Sequence, residues 1–273
     1  VFIVIACGAA SGFHSLVSSG TTAKQLDKET DARMIGYGGM IGESLLGLIA
    51  VLATTAGILD SEKWEAQYAS WDAVQGLGPK VSGFINGAST FLEGLGIERA
   101  TGATFIALIV VSYALTSLDS ATRLLRYNLE EMGETVGAGF MKNRYISSAL
   151  AVLAICFFAF YEVNGKPAGL ALWGLFGTTN QLLAGLALLT ITLYLVQRGK
   201  PWYFTGIPMV FLLVTTLYAM TTNVEVFYTK GAWPLFFVGT FLLIMGLWLV
   251  VEAGLAIRRY RESGVTDDLD ITL

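Results

Sequence analysis

The sequence predicts an all-α fold, a polytopic membrane bundle of about seven transmembrane helices. Three observations carry that expectation. Of 273 residues, 54% are hydrophobic and only 14% are Asp, Glu, Lys or Arg, against about 25% charged in an ordinary soluble domain. The charges are bunched, which leaves uncharged runs at 101–118, 145–161, 168–196, 205–224 and 231–251. Each is at or above the roughly 17–20 residues with which a helix crosses ~30 Å of hydrocarbon. Lys and Arg also fall unevenly on alternate sides of the predicted segments, twelve on one and five on the other. That is the bias expected when positive charge is retained at the cytoplasmic face.

In chain order, Val1 to Ala10 is apolar and runs into a Ser- and Thr-rich stretch ending near Thr22, after which a charged patch from Lys24 to Arg33 faces water. A second span follows at about 34–59. Residues 60–100 mix Asp60, Glu62, Lys63, Glu65, Asp72, Lys80, Glu93, Glu98 and Arg99 with apolar side chains. This pattern suits an extramembrane connection with one or two short amphipathic helices. Spans at 101–122, 145–161, 168–196, 205–224 and 231–251 complete the bundle, with loops at 123–144, 162–167, 197–204 and 223–233. The domain reading is a bundle over 1–257, with 60–100 as an extracytoplasmic loop, and a cytoplasmic tail at 258–273 that is too polar to insert. Val1 lies inside an apolar run with no Met and no basic leader, so a piece of a longer protein is expected.

The run 168–196 does not suit a simple rod. As one helix it would be about 43 Å long at 1.5 Å per residue, too long for the hydrocarbon unless strongly tilted. Its middle reads Gly174-Leu175-Phe176-Gly177-Thr178-Thr179-Asn180-Gln181. Glycines, hydroxyls and two carboxamides are what a broken helix offers where freed backbone lines a cavity. The competing reading is one tilted helix whose Asn180 and Gln181 bond to a neighbour.

Three polar constellations interrupt the apolar sequence. Between Ser11 and Thr22 stand the single histidine, His14, and the hydroxyls of Ser11, Ser15, Ser18, Ser19, Thr21 and Thr22. On a continuous helix Ser11, His14, Ser15, Ser18 and Thr22 share one face, predicted to look inward as a substrate or ion pathway; hydroxyls bonding back to their own carbonyls are the plainer alternative. Glu43 lies near the middle of the second span and shares a face with Gly36, Gly39, Gly47 and Ala50. Small residues let helices pack closely, so Glu43 is expected to point into the bundle, where an intramembrane carboxylate is a candidate proton carrier. In the third span, Ser112, Thr116, Asp119, Ser120 and Arg123 fall on one face. Asp119 precedes Arg123 by four, the favourable order for a helical ion pair. The pair is read as a cytoplasmic gate or ion site, or as an interfacial anchor.

Other chemistries find little support. A formal net charge of −4 argues against a nucleic-acid partner, since phosphate binding needs a basic face. Cys7 and Cys156 sit in apolar sequence, without the spacing of a disulfide framework or metal site. No phosphate loop or metalloprotease helix is present, and one His cannot serve several catalytic arrangements. No catalytic residue, metal ligand or cofactor is therefore expected.

Ala6-Cys7-Gly8-Ala9 with the Ser11–Thr22 stretch, then Ser117-Leu118-Asp119-Ser120-Ala121-Thr122-Arg123, then Trp173 and Phe176-Gly177 with Asn180-Gln181-Leu182-Leu183-Ala184, together resemble the carbon starvation protein A (CstA) family. The resemblance covers essentially the whole chain and the C-terminal portion of the family's usual length, which implies that helices preceding Val1 are missing. It implies a secondary transporter of the bacterial inner membrane related to the amino acid–polyamine–organocation superfamily, with an inverted-repeat fold of the LeuT kind. The implied activity is proton-coupled uptake of pyruvate or a similar small carboxylate during carbon starvation, with uptake of small peptides as the alternative. On that reading the Ser11–Thr22 stretch, Thr178, Thr179, Asn180 and Gln181 line the substrate or ion pathway. Glu43, Asp119 and Arg123 serve proton coupling or gating, and the partners are membrane lipid and a small-molecule substrate. A rival reading is a non-transporting membrane sensor or assembly subunit whose polar faces only hold helices together.

Overall fold

The structure, a computed structural model, describes residues 2–70, 77–163 and 166–263. Asp72 and most of the predicted tail, 264–273, lie outside the described residues. In chain order the helices are α1 (Phe2–Ala9), α2 (Gly12–Val17), α3 (Asp31–Thr54), α4 (Ser61–Tyr68), α5 (Leu77–Gly94) and α6 (Arg99–Val136). They continue as α7 (Arg144–Phe160), α8 (Ala168–Ala171), α9 (Trp173–Gln197), α10 (Tyr203–Thr229) and α11 (Trp233–Ser263). Two strands of two residues each, β1 (Glu162–Val163) and β2 (Lys166–Pro167), pair antiparallel. The helices group into two units, one spanning Thr22–Arg123 and the other comprising the residues up to Thr21 with those from Leu124 onward. Helices α3, α6, α9, α10 and the Trp233–Leu255 part of α11 are long and apolar enough to cross a membrane, whereas α7 has 17 residues.

In the Thr22–Arg123 unit, α3 meets α5 through its C-terminal turn. Ala53 is fully buried there, and a Cβ on Gly87 would strike the Ala53 carbonyl oxygen. Along the rest of α3 the expectation of a packed glycine face is not met: added Cβ atoms at Gly36, Gly39 and Gly47 would meet nothing within 4 Å. Glu43 on this face is exposed. Small residues permit a close approach but do not supply the partner, and within this unit α3 is covered at one end.

Among the described residues, the stretch 60–100 holds α4, with eight residues, the longer α5, with 18, and the start of α6. Asp60 caps α4, its carboxylate accepting from the backbone N–H of Glu62 (3.1 Å) and Lys63 (3.2 Å) and pairing with the Lys63 ammonium at 3.3 Å. The Lys63 backbone N–H above all, then its ammonium, holds the Asp60 carboxyl below the ordinary carboxylate value. A lowered pKa contributes order that is present above the unfolded carboxylate value and lost as pH falls through the folded one. Hydrogen-exchange protection of the α4 amides is therefore expected to be constant from pH 7 down to about 5 and to fall in more acid solution. Asp60→Ala should show several-fold lower protection already at pH 7; equal protection in both proteins at neutral pH would remove the capping role.

Two sequence-based boundaries move. The loop expected at 123–144 is largely helical, because α6 continues to Val136. Leu124, Leu125, Leu129 and Met132 are good helix formers, and the first stop signal is Gly137, whose φ of +77° suits glycine after a helix end. The pair predicted from spacing is present, with Arg123 Nε 3.0 Å from Asp119 Oδ2 on an exposed face. The run 168–196 divides at Leu172 into α8 and α9, and α9 is unbroken through Gly174–Gln181. The break expected within that sequence is therefore not there.

The core of the other unit lies between α9, α10 and α11. Leu182, Leu213 and Met220 form its centre, flanked by Leu186, Leu217, Leu242 and Val250. The Thr192 hydroxyl donates to that of Thr205 at 2.8 Å, tying α9 to α10 where the chain turns. Opposite faces of α10 and α11 present Phe211, Val214, Phe241 and Trp248 outward, each more than half exposed. That surface suits lipid rather than water.

Candidate functional site

The first predicted span is a broken helix. Helix α1 ends at Ala9, Ser11 is extended (φ −98°, ψ 121°), and α2 starts at Gly12. A break leaves carbonyls at the end of the first piece and N–H groups at the start of the second without helical partners, and a membrane interior has no water to satisfy them. The carboxamides of α9 do so. Asn180 Oδ1 accepts from the Phe13 N–H at 2.8 Å and the Ser11 hydroxyl at 3.2 Å. Its Nδ2 donates to the Cys7 carbonyl at 3.4 Å and to Cys7 Sγ at 3.1 Å. Gln181 Nε2 donates to the Ala10 carbonyl at 3.0 Å. Both side chains are buried, Asn180 at 6% and Gln181 at 0% exposure. One side chain of α9 thus bridges both halves of the break, and its neighbour holds the residue between them.

Gly12 sets how close the two elements come. A Cβ there would stand 2.5 Å from the Ala184 backbone nitrogen and would collide with the Asn180 carbonyl oxygen. Only a residue without a side chain lets the α2 backbone lie against the α9 backbone, which brings Asn180 within reach of Phe13 N–H.

The polar residues of Ser11–Thr22 do not form the single inward face that a continuous helix predicts. Helix α2 has six residues and passes into a π-helical turn at Ser18–Thr22, which changes the angle per residue and breaks the extrapolated stripe. Gly12 and Thr21 are buried, Ser11, Ser15 and Thr22 are half-buried, and His14, Ser18 and Ser19 are exposed. Four hydroxyls return to their own helix: Ser15 to the Gly12 carbonyl (2.6 Å), Ser18 to Ser15 (3.0 Å), Ser19 to Ser15 (2.9 Å) and Thr21 to Val17 (2.7 Å). On α9, Thr178 and Thr179 both donate to the Leu175 carbonyl, at 3.1 and 2.8 Å. Glu43, Asp119 and Arg123 belong to the Thr22–Arg123 unit.

Beside the break lies a cavity of about 620 Å³. Helix α1 contributes Ile3 and Cys7, α9 contributes Trp173, Phe176 and Thr178, and α10 contributes Thr215, Tyr218, Thr222 and Asn223. The Trp173 and Phe176 rings stack, with centroids 4.9 Å apart and planes at 17°. Cys7 and Thr178 place the cavity next to the Asn180 bridge. Sequence reasoning missed its α10 wall, although a signal existed: Thr215, Tyr218, Thr222 and Asn223 recur at i, i+3, i+7 and i+8 in an otherwise apolar run.

The family model described as Carbon starvation protein CstA matches residues 1–90 and 73–219. The chain is 31% identical over 262 residues to the peptide transporter CstA of Campylobacter jejuni, covering 80% of this chain and 37% of that protein. It is 31% identical over 268 residues to the peptide transporter CstA of Escherichia coli, covering 80% and 38%. It is 30% identical over 289 residues to the pyruvate/proton symporter BtsT of Escherichia coli, covering 81% and 40%. The chain thus spans well under half the length of these relatives. No solved structure matches it. With a family model covering most of the sequence, and with the Ser11–Thr22 and Asn180-Gln181 motifs meeting at one helix break, the chain belongs to the carbon starvation protein CstA family.

Proposed function

We propose that this chain forms part of the solute pathway of a secondary active transporter of the bacterial inner membrane, with its C-terminus cytoplasmic and an inverted-repeat fold of the amino acid–polyamine–organocation kind. The protein takes up short peptides during carbon starvation with the proton as coupling ion, and no other cofactor is involved. One observation carries the reading: the helix break beside the cavity, held by Asn180 and Gln181 rather than closed into a rod. Irregular backbone at membrane depth is tolerated where it is buried in protein or lines a cavity, and transporters place their binding sites at such breaks. The volume, about 620 Å³, lies in the range of sites for drug-sized ligands. A second reading, pyruvate/proton symport, is favoured by the likeness to BtsT. Glu43, Asp119 and His14 are the candidate proton carriers, with Arg123 holding Asp119.

Counterflow in proteoliposomes containing the intact protein tests both substrates. Labelled dipeptide should accumulate against unlabelled peptide, faster with an inward proton gradient, whereas labelled pyruvate marks the second reading. Absence of both would leave a sensor or assembly subunit. If Glu43→Gln, Asp119→Asn and His14→Ala all keep gradient-driven uptake, proton carriage lies elsewhere.

A further inference from the structure

The cavity has two properties that together limit what it holds. No Lys, Arg, His, Asp or Glu is among its described lining residues. A carboxylate or ammonium placed there would find no counter-charge among these side chains, whereas a neutral group needs none. The lining is also unequal in its hydrogen-bonding capacity. The hydroxyls of Thr178, Thr215 and Thr222 are engaged by the carbonyls of Leu175, Phe211 and Tyr218. Asn223, half-buried at the end of the α10 wall, makes no side-chain hydrogen bond among the described residues. A carboxamide within a membrane-spanning helix, turned to a cavity and without a protein partner, is poised for a guest. Opposite in character stands the stacked Trp173–Phe176 pair, a flat apolar wall.

We infer that this cavity is a subsite for the neutral, apolar side chain of a peptide substrate, with Asn223 hydrogen-bonding an amide of the peptide backbone and the charged termini lying outside. The inference rests on the peptide reading above and deepens it. Burial of a ring side chain against Trp173 and Phe176 should raise affinity at least about tenfold over a peptide that lacks one. An aromatic contact of this kind favours phenylalanine over an aliphatic residue of similar size.

Cys7 supplies the readout, because it is one of the cavity's lining residues and is half-buried, while Cys156, the chain's other cysteine, lies outside it and is exposed. The intact protein in lipid vesicles is treated with N-ethylmaleimide, and modification at each cysteine is followed by mass spectrometry. Glycyl-phenylalanine should slow modification of Cys7 in a saturable way and leave Cys156 unchanged. Glycyl-glycine should need at least about tenfold higher concentration for the same effect, and pyruvate should have none. Asn223→Ala should weaken protection about five-fold, and Phe176→Ala should narrow the gap between the two dipeptides. Equal protection by both dipeptides, protection by pyruvate, or a Cys7 rate set by the lipid or detergent chain length rather than by peptide would each overturn the subsite. If peptides are transported but glycyl-phenylalanine does not protect Cys7, the subsite fails while the transporter reading stands. If glycyl-phenylalanine protects and no substrate is transported, the subsite stands as a binding site and the transporter reading fails.

Discussion

Gly12→Val is expected to unfold the junction of α1, α2 and α9 and to abolish any transport that depends on it. The added Cβ would sit 2.5 Å from the Ala184 nitrogen and against the Asn180 carbonyl. Both are backbone atoms, so no rotamer change relieves the overlap. The helices must separate, and separation breaks the Asn180 bonds to Phe13 and Ser11, because the Phe13 bond is already at an ordinary length of 2.8 Å. The cost is at least about 3 kcal/mol, the upper part of the range for overpacking. Gly8→Val is the control, since a Cβ at Gly8 meets nothing within 4 Å; its effect should stay within about 1 kcal/mol, the span of helix propensities. Thermal unfolding of the purified variants in detergent separates the two. A midpoint for Gly12→Val close to that of Gly8→Val would mean that α2 does not lie on the α9 backbone.

Asn180→Leu is the second large effect. The branched skeleton is kept, with methyls larger than the oxygen and nitrogen they replace, and the polar loss is specific: the Phe13 N–H and the Cys7 carbonyl lose their side-chain partner, and the Ser11 hydroxyl loses its acceptor. Each buried group left unsatisfied costs about 1–3 kcal/mol, while interhelical hydrogen bonds in membranes average nearer 0.6 kcal/mol. A total of roughly 2–4 kcal/mol is expected for the set. Ser11→Ala removes one of these contacts and should cost about 1 kcal/mol. The double mutant should then be little worse than Asn180→Leu alone, because both changes remove the same bond. Cys7 gives an independent reading. With its Asn180 contact gone the thiol is freer, and its modification by maleimide should accelerate. Unchanged stability and unchanged Cys7 reactivity together would show that the carboxamide does not hold the break.

Several parts of this arrangement are legible in the linear sequence. Hydrophobic length marks the spans, since hydrocarbon thickness sets a helix length that can be counted. The Asp119–Arg123 pair follows from a spacing of four on one helix. Bonding of Asn180 and Gln181 to a neighbouring segment is one of the two readings the sequence offers, and it follows from the rule that buried carboxamides in membranes find partners. The end of α6 is not legible, because the charged residues after Arg123 look like a loop, yet Arg126 and Glu130 at i and i+4 continue the helix to Val136, just before Gly137. The facing of Ser11–Thr22 is not legible either, because extrapolation at a fixed angle per residue cannot anticipate a π-helical turn.

The sequence by itself determined the class of the molecule and its list of unusual groups: apolar helices of membrane length, a hydroxyl-rich stretch with one histidine, and two adjacent carboxamides. These follow from composition and from periodicities within a few turns of one helix, where each residue's neighbours are known in advance. Only the tertiary structure decided that the break falls at Ser11 rather than within α9, and that residues from α1, α9 and α10 line one cavity with Trp173 and Asn223. A helix breaks where its orphaned backbone groups find partners, and here the partner of Ser11 lies 169 positions away along the chain.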